Sequence, residues 1–510
     1  MLPRSERDLS GSIPPNSDAL AAQILEHSEK ADRADNRQPD ERPEAGVERE
    51  LSQLTSQMSA KSLRLVGPVR WLMVCLAVIG FCAAYAPAIV FPAICAVIGM
   101  PFLAIACLRL LALGLAGDFQ PNQNDARPSL DAWPEPLPRY AVLVPLYRET
   151  CVIDQLIDAL RALDYPPDRL QISFVVEQHD HPTREALARR VLCPHMRVVV
   201  VPPGNPRTKP RALNYALQDA VGDYVVVFDA EDMPEPDQLK RALSLFQSAG
   251  GKVGCVQARL GLYNPNASLL SRQFTIEYNA LFGALLPVLA YLRLPVPLGG
   301  TSSHFPRRIL QAAGGWDAYN VTEDADLGIR LARLGLEVQV LSSTTWEEAP
   351  VTFRVWLCQR TRWLKGWMQT YLVHMRKPGR LWRELGAWQF LGFQMLMCAM
   401  LFSALVHPVF YVLLGINLVS TGTLSGTSAG AATDILFSVG LANLAVGYLS
   451  AIALGAKAVG HSPHTRGLAW HALAMPVYWL LISLAGYRAL WQLATDPFSW
   501  EKTPHHGRLK

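Results

Sequence analysis

Cysteine pairs at metal-ligand spacing are absent from this sequence, and so is a strong excess of charge of either sign. The nine cysteines include no Cys-x-x-Cys pair, and several lie in apolar runs, where cysteine acts as a small hydrophobic residue. We therefore expect neither a disulfide framework nor a zinc site. A net charge of +4 over 510 residues, with no basic recognition motif, argues against nucleic-acid binding.

Charged residues are also scarce in five apolar runs, each long enough to cross a bilayer core of about 30 Å. They are Val66–Tyr85, Ile89–Leu113, Trp388–Val419, Ile435–Ala456 and Leu468–Leu490. The sequence thus predicts a membrane protein with two transmembrane helices in 63–115 and a C-terminal transmembrane region in 386–495. Between Leu113 and about Trp388 no such run occurs, which predicts a water-soluble domain of roughly 250 residues there.

Residues 1–62 are rich in charged and polar side chains and poor in aromatic ones, so we expect a disordered tail rather than a cleaved signal peptide. Basic residues precede the first apolar run, and Arg109 closes the second. The positive-inside rule then places the soluble domain on the cytoplasmic side of an inner membrane. The basic tail 496–510 also looks cytoplasmic, so one C-terminal segment is expected not to cross fully, either near His407–Pro408 or at Tyr487–Leu493.

From Arg139 onward, short apolar strands alternate with amphipathic helical segments. The strands are YAVLVP, ISFVVE, MRVVVV and YVVVFD. This βαβα pattern predicts a parallel sheet with helices on both faces. Ligands of open α/β sheets bind beyond the carboxyl ends of the strands. The polar residues that follow these strands are Glu149, Glu177, Asp180, Lys209, Asp229, Glu231 and Asp232.

Acidic residues directly after a strand are typical of a site for Mg²⁺ or Mn²⁺ with a diphosphate, because these cations take oxygen ligands from one or two carboxylates and from phosphate. For a lone Asp-x-Glu, a solvated turn that caps the next helix is the favoured interpretation. Polar residues follow all four strands here, which favours a ligand site. A second acidic group, Thr322-Glu323-Asp324, opens a predicted helix, where the helix dipole and a Thr322 N-cap would by themselves account for it.

The segment 356–370, WLCQRTRWLKGWMQT, contains no acidic residue and predicts an unusual helix. The helical repeat combines aromatic and cationic side chains on one stripe, namely Trp356, Arg360, Trp363 and Trp367. One interpretation is a helix that lies on a membrane surface. The other is a site in which a guanidinium grips a diphosphate and an indole supports a sugar ring.

Together, the Asp229–Glu231 turn, Thr322-Glu323-Asp324 and the Gln-x-x-Arg-Trp motif that ends at Trp363 resemble family 2 glycosyltransferases of the cellulose, chitin and hyaluronan synthase type. The resemblance runs from about Pro138 to Trp382, includes the flanking apolar runs and extends to the tail that begins at Trp500. It implies an α/β GT-A (Rossmann-like) domain in 137–350, followed by an interfacial helix in 351–385. The GT-A domain would face the cytoplasm between α-helical transmembrane segments and use a UDP-linked nucleotide sugar with a divalent metal.

The resemblance also assigns roles to single residues. The metal ligands would be Asp229 and Glu231, with Asp232 as a substitute, because Glu231 stands where a second Asp is usual. Asp324, beside Glu323, would be the catalytic base. The nucleotide would be bound by Glu149, Glu177, Asp180, Lys209 and Arg362. The acceptor would be bound by Thr301, His304, Gln359 and Trp363.

The function that the resemblance implies is extension of a β-linked polysaccharide in a lipid bilayer, with passage of the product through the protein's own spans or to partner export proteins. Alternatives are a non-processive transferase that glycosylates a lipid carrier, an inactive scaffold, and a transporter with a regulatory domain. The intact acids Asp229 and Asp324 argue against a scaffold, and the scarcity of charge in the spans argues against an ion-coupled transporter. The sequence does not identify the donor sugar.

Overall fold

The computed structural model describes residues 58–63, 77–78, 81, 87–115, 136–249, 251–421, 431–460, 465–502 and 507. The predicted tail before residue 58 and most of the first predicted span, Val66–Tyr85, lie outside the described residues. The same holds for residues 503–506 and 508–510 of the C-terminal tail.

The described part of the chain contains a mixed sheet of eight strands. They are β1 Tyr140–Leu146, β2 Leu170–Glu177, β3 Met196–Val201, β4 Tyr224–Val227, β5 Met233–Pro234, β6 Val253–Leu262, β7 Ser303–Pro306 and β8 Glu337–Glu347. The strand order is β3-β2-β1-β4-β7-β6-β8-β5. The first four strands are parallel, as predicted, and the α/β fold is confirmed. The rest of the sheet is not all parallel, because β7 runs antiparallel to β4 and β6, and β5 runs antiparallel to β8.

Helices pack on this sheet and continue into the apolar regions of the chain. They are α1 Pro87–Leu115, α2 Ile153–Arg161, α3 His181–Ala188, α4 Lys209–Gln218, α5 Gln238–Ser248, α6 Leu269–Ala280, α7 Leu286–Tyr291, α8 Arg307–Ala312, α9 Glu323–Arg333, α10 Phe353–His374, α11 Pro378–Phe393, α12 Ala399–Thr421, α13 Ala431–Gly460 and α14 Met475–Thr495. Short π-helical segments, Leu281–Leu285 and Gln394–Cys398, join α6 to α7 and α11 to α12. Segments of 3₁₀-helix occupy Ala60–Ser62, Pro167–Arg169 and Arg466–Ala474.

The apolar pattern of the sequence explains the layers. In α2 the buried residues Ile153, Leu156, Ile157 and Leu160 follow the helical spacing of an amphipathic helix. In β1 alternate residues face opposite sides of the sheet, so Ala141 and Leu143 join one core cluster while Val142 and Val144 join another. The first of these clusters continues into side chains of α1, α13 and α14. The α/β unit and the apolar helices therefore share one hydrophobic core.

Four helical stretches in the described residues are long and apolar enough to cross a membrane. They are Leu269–Tyr291, Pro378–Val409, Ser438–Gly460 and Arg466–Thr495. The last three overlap predicted spans, and the predicted run Ile89–Leu113 lies within α1. The side of the membrane that the α/β domain faces stays a prediction.

The stretch Leu269–Tyr291 corrects the prediction that no such run separates Leu113 from Trp388. Arg272 and Glu277 interrupt its hydropathy, which is why inspection of the sequence missed it. In the fold, 61% of its most apolar window is buried inside the protein. Its apolar character therefore largely reflects packing between the sheet and the apolar helices.

Candidate functional site

A cavity of about 290 Å³ opens beyond the carboxyl ends of β1, β2 and β4, at the edge of the sheet where α/β proteins bind ligands. Residues from α9, α10 and the C-terminal tail complete its wall. Ten of the residues predicted from sequence line it together, namely Glu149, Glu177, Lys209, Asp229, Glu231, Glu323, Asp324, Gln359, Arg362 and Trp363. The fold thus brings together side chains that are up to about 214 positions apart (363 − 149).

Lys209 stands among the carboxylates of this cavity. Its Nζ lies 2.5 Å from Oδ1 of Asp229 and donates a hydrogen bond to the Gly300 carbonyl at 2.9 Å. Burial alone would lower the pKa of Lys209, but Asp229, Glu323 and Asp324 outweigh burial and raise it. Lys209 therefore stays charged and compensates part of the acidic cluster.

Asp324 lies in the first turn of α9, where backbone N–H groups and the helix dipole favour a carboxylate. The Ala325 N–H donates to its Oδ1 at 2.8 Å. Gly300, at φ +85°, approaches so closely that a Cβ there would lie 2.7 Å from Oδ2 of Asp324. Burial raises the pKa of Asp324, whereas Lys209 and Arg362 lower it. The carboxylate is thus held in place with two cationic side chains near it.

The predicted N-cap role of Thr322 is not what the structure shows. Thr322 occupies the N-cap position of α9, but its side chain makes no capping hydrogen bond among the described residues. Its N–H donates to Oδ1 of Asn320 at 3.0 Å. A side chain at Gly366 would overlap the Thr322 hydroxyl, so the absence of a Cβ lets α10 pack directly against the start of α9.

Helix α10 is buried on more than one side by other parts of the protein. Its buried polar residues include Gln359, Arg360, Lys365 and Gln369. Arg360 forms an ion pair with Glu277 of α6. Lys365 donates to the Ser499 carbonyl at 2.7 Å, and burial lowers its pKa to about 8. Polar residues are buried because α6, α14 and the C-terminal tail supply their partners.

The three tryptophans of this helix have different environments. Trp363 lines the cavity and stacks with Tyr278 at 6.1 Å, and the Arg360 guanidinium lies 4.8 Å from its ring centre. Trp367 packs in apolar clusters that do not reach the cavity lining. Trp356 is fully buried, and its Nε1–H donates to the Tyr478 hydroxyl at 3.1 Å. Of these three indoles, Trp363 is the one placed to contact a ligand.

Comparison with known proteins identifies the α/β unit. Residues 138–366 match the family model described as "Glycosyltransferase like family 2". This part of the chain, somewhat less than half of it, is therefore similar to a glycosyltransferase family 2 domain. Its α/β fold is GT-A-like, and the activity predicted from the sequence at this coarse level, glycosyl transfer, agrees with the match.

Individual relatives align with about half of the chain. The beta-monoglucosyldiacylglycerol synthase of Synechocystis sp. is 32% identical over 275 residues, which are 53% of this chain and 56% of the relative. The probable glucomannan 4-beta-mannosyltransferase 1 of Arabidopsis thaliana is 27% identical over 245 residues, 46% of this chain and 44% of the relative. This chain thus spans about half the length of the curated relatives that it matches.

A solved structure of a mannosyltransferase from Pyrobaculum calidifontis, in complex with GDP-Man and Mn²⁺, overlaps with a TM-score of 0.48 at 20% sequence identity. The overlap covers 78% of this chain and 99% of that one.

Four predicted site residues of the glycosyltransferase domain do not line the cavity, namely Asp180, Asp232, Thr301 and His304. The acceptor role predicted for His304 is corrected, because this residue is fully buried in β7, with Nδ1 2.7 Å from the Tyr140 hydroxyl. Burial lowers the pKa of His304 to about 3, so the ring is neutral. Thr301 is also buried, and its hydroxyl donates to Asp232.

Asp180 and Asp232 stabilise turns at the strand ends. Asp180 accepts a hydrogen bond from the Thr183 N–H at the start of α3, and one at 2.5 Å from the Arg148 N–H. Asp232 is fully buried and accepts from the Asp229 N–H at 2.6 Å. The proposal that Asp232 substitutes for Glu231 as a metal ligand does not fit its position behind the cavity wall.

The lining residues to which the sequence assigned no role include Tyr278, Glu347, Trp500 and Lys502. Lys502 lies 3.0 Å from Glu149, and the Arg362 guanidinium lies 5.7 Å from the ring centre of Trp500. The tail resembles the ending of family members, but nothing in the sequence around Lys502 indicates that this residue lies next to Glu149.

The residues present fit a divalent cation. Asp229 and Glu231 both line the cavity, where a diphosphate would complete the coordination. No three described His, Cys, Asp or Glu side chains are arranged as a ready-made metal site. Mg²⁺ bound by one or two carboxylates together with phosphate does not require such a group.

A pH dependence of stability follows from Glu323. Burial and then Asp324 raise its pKa from the ordinary value of 4.5 to about 8. The folded state therefore binds this proton more tightly than the unfolded chain does. The contribution of Glu323 to the free energy of unfolding is complete below about pH 4.5 and is lost as the pH rises towards 8. We expect the melting temperature of the metal-free protein to fall over this range, and Glu323→Gln to flatten the fall.

The measurement is thermal unfolding of the detergent-solubilised protein from about pH 5 to about pH 9 without metal. The surface variant Glu185→Gln serves as the control, because Glu185 is exposed on α3. Identical slopes in wild type and Glu323→Gln would show that Glu323 titrates alike in the folded and unfolded states.

Proposed function

We propose that this protein transfers a hexosyl group from a nucleotide sugar, UDP-linked, to an acceptor hydroxyl, and that repeated transfer extends a β-linked polysaccharide. The observation that carries the proposal is one cavity that combines three kinds of group. Asp229 and Glu231 provide cation ligands, Asp324 provides a base, and Arg362 and Trp363 provide a guanidinium beside an aromatic face. Phosphate, a sugar hydroxyl and a sugar ring are the matching chemical groups.

The donor half of the cavity would bind the negatively charged diphosphate of the nucleotide sugar. Asp229 and Glu231 would hold Mg²⁺ or Mn²⁺, which when bound compensates charge on the leaving diphosphate. Arg362 can bind phosphate oxygens through two N–H groups at once. Glu149, paired with Lys502, and Glu177, paired with Arg211 at 3.0 Å, line the opposite wall and would surround the nucleoside.

The chemical step is a single displacement. Asp324 accepts the proton of the acceptor hydroxyl while that oxygen forms a bond to the anomeric carbon. The bond from this carbon to the diphosphate oxygen breaks, and its electron pair leaves with the nucleotide. Entry and departure on opposite sides of the carbon invert its configuration. Burial raises the pKa of both Glu323 and Asp324, and Lys209 and Arg362 oppose the rise at both. At Asp324 the hydrogen bond from the Ala325 N–H opposes it as well, which favours Asp324 as the ionised base.

The acceptor half faces the apolar helices. Trp363 stacks with Tyr278 of α6, and the buried Gln359 Oε1 has no hydrogen-bond partner among the described residues. Helix α6 packs on α13, and α10 packs on α14. An acceptor therefore meets the cavity on the side of the candidate membrane spans, as expected for a product that enters the membrane.

The second candidate function is single transfer to a lipid. A relative named as a glucosyldiacylglycerol synthase favours it, and another named as a glucomannan mannosyltransferase favours the polymer. The discriminating experiment uses purified full-length protein in lipid with Mg²⁺ or Mn²⁺, labelled UDP- and GDP-sugars, and either diacylglycerol or a short β-linked oligosaccharide. Products that lengthen with time support the polymer, whereas one sugar on the lipid supports the alternative. Bound donor without transfer to either acceptor would contradict both.

The acceptor role of Trp363 predicts a difference between two tryptophans of one helix. Trp363→Ala should reduce transfer about 100-fold while donor binding is retained, because loss of the stacking surface misplaces the acceptor. Trp367→Ala is the matched control, since it removes an indole from the apolar clusters and should mainly lower the melting temperature. The measurements are donor affinity and initial rate on the same preparations. Equal losses of rate per folded molecule in both variants would remove Trp363 from the acceptor site.

A further inference from the structure

Two acidic residues oppose each other at the end of the sheet. In the short antiparallel pairing of β5 with β8, Met233 pairs with Trp346 and Pro234 pairs with Thr345. The same register, continued by one residue, places Asp232 opposite Glu347. Directly opposed residues have Cβ atoms about 5 Å apart, and like charges at such positions are destabilising.

Neither carboxylate is fully satisfied. Asp232 is completely buried, and its Oδ2 accepts hydrogen bonds from the Asp229 N–H and the Thr301 hydroxyl. Glu347 is 9% exposed, and its Oε2 accepts from the Tyr278 hydroxyl at 3.4 Å. Oδ1 of Asp232 and Oε1 of Glu347 are buried without a hydrogen-bond partner in the described part of the chain. Buried carboxylate oxygens without partners are costly, so this arrangement calls for a positive charge or a proton.

The surroundings favour a cation. Glu347 lines the cavity with Asp229 and Glu231, whereas Asp232 lies behind the wall. Burial, followed by Asp232, Glu231 and Asp229, raises the pKa of Glu347. Lys209 is the cation that acts against this rise, and it is already paired with Asp229. A divalent ion at the Asp229–Glu231 turn would compensate these carboxylates together.

We propose that Glu347 supplies a further carboxylate when a divalent cation and a diphosphate bind at Asp229 and Glu231, and that Asp232 holds the Asp229–Asp232 turn in position behind them. In the ion-free protein the described carboxylates are not prearranged as a metal site, so the proposal requires Glu347 to turn towards the ion on binding. The inference rests on the metal use in the proposed function. Glu347 would then add to Asp229 and Glu231, whereas the sequence suggested Asp232 as a substitute for Glu231. A ligand role for Glu347 also explains why an acidic residue ends β8 directly opposite another acid.

The test measures Mn²⁺ binding rather than turnover. Full-length, detergent-solubilised protein is titrated with Mn²⁺ in the presence of UDP and without acceptor, and free Mn²⁺ is followed by electron paramagnetic resonance. Glu347→Gln should weaken Mn²⁺ binding at least about 10-fold, and Glu347→Asp should recover part of the loss. The melting temperature of metal-free Glu347→Gln should equal or exceed that of the wild type, because one of the two opposed acids has been neutralised. The control is Glu348→Gln, whose carboxylate accepts from the Tyr263 hydroxyl and does not line the cavity.

The outcomes separate this inference from the proposed function. Equal Mn²⁺ affinity in wild type and Glu347→Gln, with binding lost in Asp229→Asn, would show that Asp232 and Glu347 merely share a proton and would overturn the inference alone. No Mn²⁺ binding in wild type with UDP would overturn both the inference and the metal use of the proposed function. If Glu347→Gln does not fold, Glu347→Met decides, because it removes the carboxylate and keeps a side chain of similar length, and the same Mn²⁺ affinity as wild type in this variant would also contradict a ligand role.

Discussion

Asp324→Asn should leave the protein folded and able to bind the donor, yet slow glycosyl transfer at least about 100-fold. The amide has the size of the carboxylate and can still accept the hydrogen bond that the Ala325 N–H donates at 2.8 Å. It is also acceptable at the start of a helix. It cannot take a proton from the acceptor hydroxyl. Initial rates with labelled donor, measured beside donor affinity, check this expectation.

Asp326→Asn, two positions further along the same helix, provides the contrast. Asp326 is fully buried between Arg330, at 2.8 Å, and Nε2 of His374, at 3.1 Å. Breaking such a buried network typically costs about 3–5 kcal/mol, so this variant should lose stability rather than rate per folded molecule. If Asp324→Asn behaved in the same way, the carboxylate of Asp324 would be structural and the proposed base would be wrong.

For Asp229→Asn we expect the metal-dependent activity to fall by more than about 100-fold, equivalent to a loss of about 3 kcal/mol of transition-state stabilisation. The substitution replaces a charged cation ligand by a weaker neutral one. It also removes the ion-pair partner of Lys209. Rates as a function of Mg²⁺ and Mn²⁺ concentration, in variant and wild type, measure the effect.

The double variant Asp229→Asn/Lys209→Met separates the two consequences. In the single variant Lys209 still faces Glu323 and Asp324, so we expect little loss of stability. Removing Lys209 as well should lower stability, because these two buried acids then lose its charge. Activity should stay low, since the carboxylate ligand is still missing. Turnover near the wild-type level in Asp229→Asn would refute the assignment of this residue to the cation.

The sequence by itself determined the first half of the sheet and ten of the residues that line the cavity. Strand β1 is apolar at every position, and the neighbouring helices carry apolar residues at helical spacing, so local patterns specify the βαβ order. That order places the strand ends at one edge of the sheet. Glu149, Glu177 and Asp229 are therefore neighbours for a reason that can be read from the chain.

Only the tertiary structure decided which polar residues face the cavity. His304 follows a glycine-led turn that looks like part of a site, but its strand lies between β4 and β6, and packing buries the ring against Tyr140. Helix α10 carries cationic and aromatic residues typical of a membrane surface, and the partners that bury them come from α6, α14 and the tail. Burial depends on neighbours that are distant in sequence, so composition does not reveal it.

Asp232 and Glu347 show most directly that composition does not reveal which residues become neighbours in the fold. In the sequence, each residue is an acidic side chain next to a predicted or observed strand, with nothing to mark it as special. The two residues are 115 positions apart (347 − 232). They become opposed through the antiparallel register of β5 and β8, in which a shift of one residue would turn Glu347 to the other face of the sheet. Local propensity specifies strands and helices, whereas register and the packing of remote segments decide which charges must share a site.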